Sequence, residues 1–186
     1  MSNFEKKIMK QKALLNELEN YVNLHLEFAS KLKKNKETDL TAIPENGGWN
    51  VLQCIQHLNL YGEIYLKEFS NQLKKAPKIS KDLDFKPSIF HQFLVKPMLP
   101  KQGMMKMKTF ASKNPSVQGL TVQVIDSFIE QLNQFKGILS QAQQINLNKN
   151  NCKTTLPILK MNFGSTLAFV IYHNERHVQQ ARALLK

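Results

Sequence analysis

The chain has 186 residues, of which 42% are hydrophobic and 22% charged, with a formal net charge of +12. That length suits one domain, residues 1–186, with a sizeable core, and the balance is that of a globular protein rather than a disordered or fibrous one. No apolar run approaches the ~20 residues that would span a bilayer, so a membrane protein is not expected.

The positive charge raises nucleic acid, an acidic membrane surface or an anionic substrate as partners. Of the 26 basic residues, however, only Arg176 and Arg182 are arginine. Base reading favours the rigid guanidinium fork, and the lysines are scattered, with short clusters at Lys31, Lys33, Lys34 and Lys36 and at Lys101, Lys106 and Lys108. They read as a solvated surface, and neither nucleic acid nor membrane is expected as a partner. The opening MSNFEKKIMKQK has no apolar segment after its lysines, so no signal peptide is expected and the cytoplasm is the default compartment. Two cysteines, Cys54 and Cys152, do not make a disulfide framework, in keeping with a reducing environment.

Four segments carry helical periodicity. The first runs from about Asn3 to Lys34, with the stripe Ile8, Leu15, Leu18, Val22, Leu26, Ala29 and Leu32. A second, from about Asn50 to Lys75, follows the break at Gly47 and Gly48, with Asn50 as N-cap. Its apolar positions are Val51, Leu52, Ile55, Leu58, Tyr65, Leu66, Phe69 and Leu73. Next comes a long connection, Ala76 to Asn114, which Pro77, Pro87, Pro97 and Pro100 keep from forming one long helix; Ser88 to Val95 suits a short one. Such length marks a crossover or a functional segment, and it is expected to lie partly over one end of the helices and shape access to a site there. The third helix is expected from about Ser116 to Gln144, with Pro115 and Ser116 as start signal and Leu120, Val124, Phe128, Leu132, Phe135 and Leu139 on one side. After an asparagine-rich link, Asn146 to Met161, the fourth runs from about Ser165 to Leu185 with Leu167, Val170, Ile171, Val178, Ala181, Leu184 and Leu185. No repeat and no strand pattern stands out. The expected fold is all-α: a four-helix bundle with a long crossover between the second and third helices.

Five histidines are present: His25, His57, His91, His173 and His177. His173-Asn-Glu-Arg-His177 places two imidazoles four residues apart on one face of the last helix, close enough to reach one ion. The stripe Thr166, Val170, His173, His177, Gln180 and Leu184 is apolar at both ends, so the pair is expected to face inward. On the second helix Cys54, His57, Tyr61 and Ile64 likewise turn His57 inward. Three neutral imidazoles with an open position are the ligand set of a catalytic zinc site rather than a structural one. The zincin motif is absent, because Asn174 stands where that motif has glutamate. Glu175 points to another face and reads as a solvent-facing or outer carboxylate.

Trp49-Asn-Val-Leu-Gln-Cys-Ile-Gln-His57-Leu58 and His173-Asn-Glu-Arg-His177-Val-Gln-Gln180 together resemble the two signatures of the DinB-like superfamily: a tryptophan at the second helix start with a histidine eight residues on, and HxxxHxxQ on the last helix. The resemblance covers essentially the whole chain. It implies a four-helix bundle with an unusual connection order and one divalent ion, zinc or nickel foremost, held by His57, His173 and His177. Relatives include proteins that transfer low-molecular-weight thiols to electrophiles and proteins described as hydrolases.

Near that site Gln180 could orient a ligand or a substrate or simply pack, Tyr61 could donate a hydrogen bond to a substrate oxygen or, more in keeping with its position, pack, and Cys54 reads as a small core residue rather than a thiolate ligand. Trp49 reads as a packing anchor; His25 and His91 lie off the signatures and read as structural or exposed. A divalent ion with an open position lowers the pKa of bound water or thiol. The expected function is activation of a small thiol or of water, for transfer or hydrolysis, with a small-molecule substrate and a homodimer as the assembly it allows for. A non-catalytic metal- or ligand-binding bundle is the alternative.

Overall fold

A computed structural model describes residues 9–45, 47–99, 113–115 and 119–185, the side chains of Gln92 and Lys96 excepted. Four long helices carry the structure: α1 (Gln11–Leu32), α3 (Val51–Leu73), α5 (Gln123–Ala142) and α6 (Phe163–Ala183). The short helices α2 (Glu37–Thr41) and α4 (His91–Leu94) and a 3-10 turn at Lys96–Met98 lie in the connections. Two short antiparallel strand pairs, unexpected from the sequence, complete it: β1 (Met9–Lys10) with β2 (Asp84–Phe85), and β3 (Asn151–Lys153) with β4 (Lys160–Asn162). Strands of two and three residues are too short to show a two-residue period.

Each long helix packs on two others, α1 and α3 both touching α5 and α6. Contact pairs fix their directions. Glu17 meets Tyr172 and His25 meets Glu175, so α1 and α6 run the same way. Phe69 meets Phe163 and His57 meets His173, so α3 and α6 are opposed. Asn59 meets Val124 and Phe69 meets Phe135, so α3 and α5 are parallel. Parallel neighbours cannot be joined by a tight turn. The chain leaving the C-terminal end of the 23-residue α3 must travel back about 34 Å to start α5, which is why the long connection exists.

The expected apolar stripes are buried at Leu15, Leu18, Val22, Leu52, Ile55, Phe69, Phe128, Leu132, Phe135, Leu167 and Val170. Ile64 departs from its stripe and is exposed, and the inward face of α3 instead continues from Tyr61 through Tyr65 to Phe69. Leu184 and Leu185 are only half-buried. Asn50 caps α3 as expected, and more completely: its Oδ1 accepts from the Gln53 amide at 2.9 Å while Gln53 Oε1 accepts from the Asn50 amide at 2.9 Å. This reciprocal box fixes the first turn, one turn ahead of His57.

The third long helix corrects the expected start at Ser116, a residue outside those described: α5 begins at Gln123. Gly119 stands at φ +75°, a left-handed conformation in which no helix continues. Predicted positions in 1–8 and 100–112, including Ile8, Pro100 and the cluster Lys101, Lys106 and Lys108, also lie outside the described residues. The short helix expected within Ser88 to Val95 is α4, and the 3-10 turn after it buries Val95 and Met98 beside α6.

The Asn162 side chain accepts from the Ser165 amide at 2.9 Å and caps α6, which is buried on all sides from Phe163 to Glu175. Gly164 makes that burial feasible: a Cβ there would run into the Phe85 ring and lie 3.1 Å from Leu147 Cβ. Gly164→Ala is expected to lower the stability of the fold by ~1–3 kcal/mol through overpacking. Urea unfolding read by circular dichroism checks it, and an unchanged midpoint would mean that β2 yields freely. No described helix is long and apolar enough to cross a membrane.

Candidate metal centre

His57 stands two turns into α3, and His173 and His177 one turn apart on the opposed α6. The structure brings these three expected residues together: one ligand nitrogen from each lies within 4.8 Å of the others. His57 Nε2 and His173 Nε2 are 3.2 Å apart. Two nitrogens at about 2.0–2.1 Å from a tetrahedral ion would be about 3.3 Å apart, so the spacing matches a shared ion. His57 and His173 are buried and His177 is half-buried at the edge of the cluster.

Hydrogen bonds set the tautomers. His57 Nδ1 lies 2.7 Å from the Lys113 carbonyl oxygen, which can only accept, so Nδ1 carries the proton and Nε2 turns a lone pair into the cluster. His177 Nδ1 lies 3.0 Å from Gln180 Oε1, which fixes the same arrangement there. Gln180 thus holds the His177 ring by its Nδ1 edge. His173 has at most one Nε2–H for these two lone pairs, and its own buried Nδ1 has no partner among the described residues. One cation would satisfy all three Nε2 lone pairs at once, so the donor set fits a divalent metal.

The surroundings hold the rings neutral. Burial pushes the His173 pKa well below its ordinary 6.5, and the neighbouring His177, His57 and Arg176 push it further. Burial takes His177 down to about 3, assisted by His57 and opposed by the Gln180 bond. His57 is lowered too, chiefly by burial and against the Lys113 hydrogen bond. Neutral imidazole is the form that ligates.

Aromatic rings wall the cluster. Trp49 packs on His57 at 4.7 Å between centroids and on His177 at 5.7 Å, which gives the expected packing anchor a specific task. Tyr61 packs on His57 at 4.9 Å and on His173 at 4.4 Å. Cys54 is fully buried, and burial raises its thiol to about 12, so it is a core residue as expected. His91 is half-buried with Nδ1 3.1 Å from Ser165 Oγ, away from the three-histidine cluster.

Glu175 corrects the reading as a solvent-facing or outer carboxylate. It does point away from the cluster, but it is only 8% exposed, and His25 Nε2 donates to its Oε2 at 2.8 Å. Gln179 donates to its Oε1 at 2.7 Å. Burial would push this carboxyl up, but the two donors outweigh it and hold it below its ordinary range. Sequence reasoning missed this pair, because His25 and Glu175 lie 150 residues apart. It also missed the Lys113 carbonyl, since a backbone acceptor leaves no signature in residue type.

No curated protein and no solved structure matches the chain. Compared with models of protein families, residues 24–181 match the DinB superfamily. That span takes in the C-terminal part of α1, all of α3 and α5, and the histidines and Gln180 of α6, and it shows that the chain belongs to the DinB superfamily.

Proposed function

We propose that the chain is one four-helix bundle domain with the crossover between α3 and α5, that His57, His173 and His177 hold one divalent ion, zinc or nickel, and that the site activates a small thiol for transfer to an electrophile. The observation that carries the metal reading is the convergence of one ring nitrogen from each of three histidines, with His57 and His177 each held by a partner on Nδ1. An ion held there would lower the pKa of a bound thiol or water.

The position of Glu175 favours thiol over water. Hydrolysis benefits from a general base within about 3 Å of the attacking water, often a carboxylate. The carboxylate of the HNERH segment is committed to His25 on the far side of α6. Attack by a thiol already deprotonated at the site needs no such base. Nor do the chain's own cysteines suit the role of nucleophile, since burial raises Cys54 and Cys152 to about 12. The thiol is therefore an exogenous small molecule. Trp49 and Tyr61 flank the imidazoles and offer apolar surface to the electrophile.

The test is an assay of protein purified without an immobilised-metal column, loaded with zinc or nickel, and given several low-molecular-weight thiols with a reactive electrophile. Metal-dependent consumption of one thiol, lost in His57→Ala, is the expected result. Full metal occupancy without turnover of any thiol would leave a non-catalytic binding bundle as the reading.

A further inference from the structure

Glu175 lies two residues after His173 and two before His177. At 100° per residue its side chain leaves α6 about 160° from each of theirs, on the opposite face. There it meets α1. His25 is fully buried, its Nε2–H donates to Glu175 Oε2 at 2.8 Å, and its Nδ1 has no partner among the described residues. The Glu175 bond is thus the polar contact that the ring makes. One turn earlier Tyr172 donates to Glu17 Oε1 at 2.7 Å, and Tyr21 packs edge-on against Tyr172 at 5.6 Å. Two clasps of opposite sense join the same pair of helices. In one the donor is on α1, in the other it is on α6.

We propose that His25 and Glu175 are positioning residues for the three-histidine centre: the clasp behind α6 sets the rotation of that helix about its axis and so aims His173 and His177 at His57. This inference rests on the metal reading above. An imidazole nitrogen stands about 6 Å from its helix axis, so a rotation of 10° displaces it by about 1 Å. Metal ligands tolerate only about 0.5 Å. Apolar packing resists rotation weakly on a helix that is apolar all round, because a small turn exchanges one apolar contact for another. From Phe163 to Ile171, α6 is buried on every side and largely of that kind, Ser165 and Thr166 being its polar residues. A buried directional bond on the face opposite the ligands restrains this motion, and it acts on both ligands together.

The experiment loads metal-free protein with Co2+ and records the dissociation constant and the visible d–d spectrum, beside the thermal midpoint of the metal-free form. In His25→Ala the dissociation constant is expected to rise about tenfold and the d–d bands to shift or weaken. His25→Gln keeps a donor to Glu175 and should return most of the affinity and the wild-type spectrum. Leu18→Ala empties a fully buried site elsewhere on α1; it should lower the melting midpoint while leaving the spectrum unchanged, which separates positioning from loss of stability. Should His25→Ala fail to fold, Glu175→Met removes the same bond from the other side and is read in its place. Wild-type affinity and spectrum in the folded variant overturn the positioning role while the metal centre stands. Absence of Co2+ binding by the wild type overturns both.

Discussion

His173→Ala is expected to abolish stoichiometric binding of the divalent ion while the helices stay folded. His173 is the buried ligand nearest another, with its Nε2 3.2 Å from that of His57. Its removal leaves one imidazole on each of two helices and opens the site to water. Loss of an outer partner of a metal-bound histidine typically costs 10–100-fold in affinity, so loss of a ligand should weaken binding by at least about 100-fold. The fold has other support. Phe69, Phe128, Phe135 and Phe163 pack in the core away from the cluster and are each at most 1% exposed. Metal stoichiometry after dialysis and far-ultraviolet circular dichroism check the two halves of this prediction together, with His91→Ala as a control that should keep full occupancy. A His173→Ala protein with full occupancy would mean that the ion, if any, sits elsewhere. A variant that unfolds without metal would make the histidine pair a structural element and remove the main support for catalysis.

Legibility in the sequence followed the range of the interaction concerned. The capping box at Asn50 and Gln53 spans three residues, and the His173/His177 pair spans four; both can be read from local spacing because the helix repeat imposes them. The inward aim of His57 was readable from Cys54 and Tyr61, although Ile64 on the same stripe is exposed. The start of α5 was not readable at Pro115 and Ser116, because proline permits a helix start without requiring one, and Gly119 in a left-handed conformation delays it. The least legible parts are the long-range polar contacts. Whether Glu175 meets solvent or His25 depends on how α1 packs on α6, and no spacing within either helix encodes it. The same holds for Lys113, whose carbonyl sets the His57 tautomer from 56 residues away. The site's ligands were legible because they are side chains on regular elements; what orients them is tertiary structure.

Acid should release the metal and, in the metal-free protein, lower stability from about pH 6.5 downward. In the unfolded chain a histidine titrates near 6.5, whereas in the fold burial holds His177 at about 3 and His173 well below 6.5. Between those values the unfolded chain binds more protons than the native one. Unfolding free energy therefore rises with pH across this window and falls as the solution is acidified. For His177 alone, acidification from pH 6.5 to pH 5 removes on the order of 2 kcal/mol. His57 and His173 add in the same direction, and the three titrate as a coupled group rather than independently. The metal-loaded protein should lose more over the same range, since each proton taken up displaces a ligand, and its release midpoint should move to lower pH as free metal is raised. Urea unfolding at pH 7.5 and pH 5 measures the metal-free effect, with His177→Gln as comparison. Glutamine keeps a polar side chain at the rim but does not titrate, so its stability should fall less between the two pH values. If wild type and His177→Gln lose the same stability on acidification, His177 is not held neutral by the fold, and a preformed neutral ligand set for the metal loses its electrostatic basis.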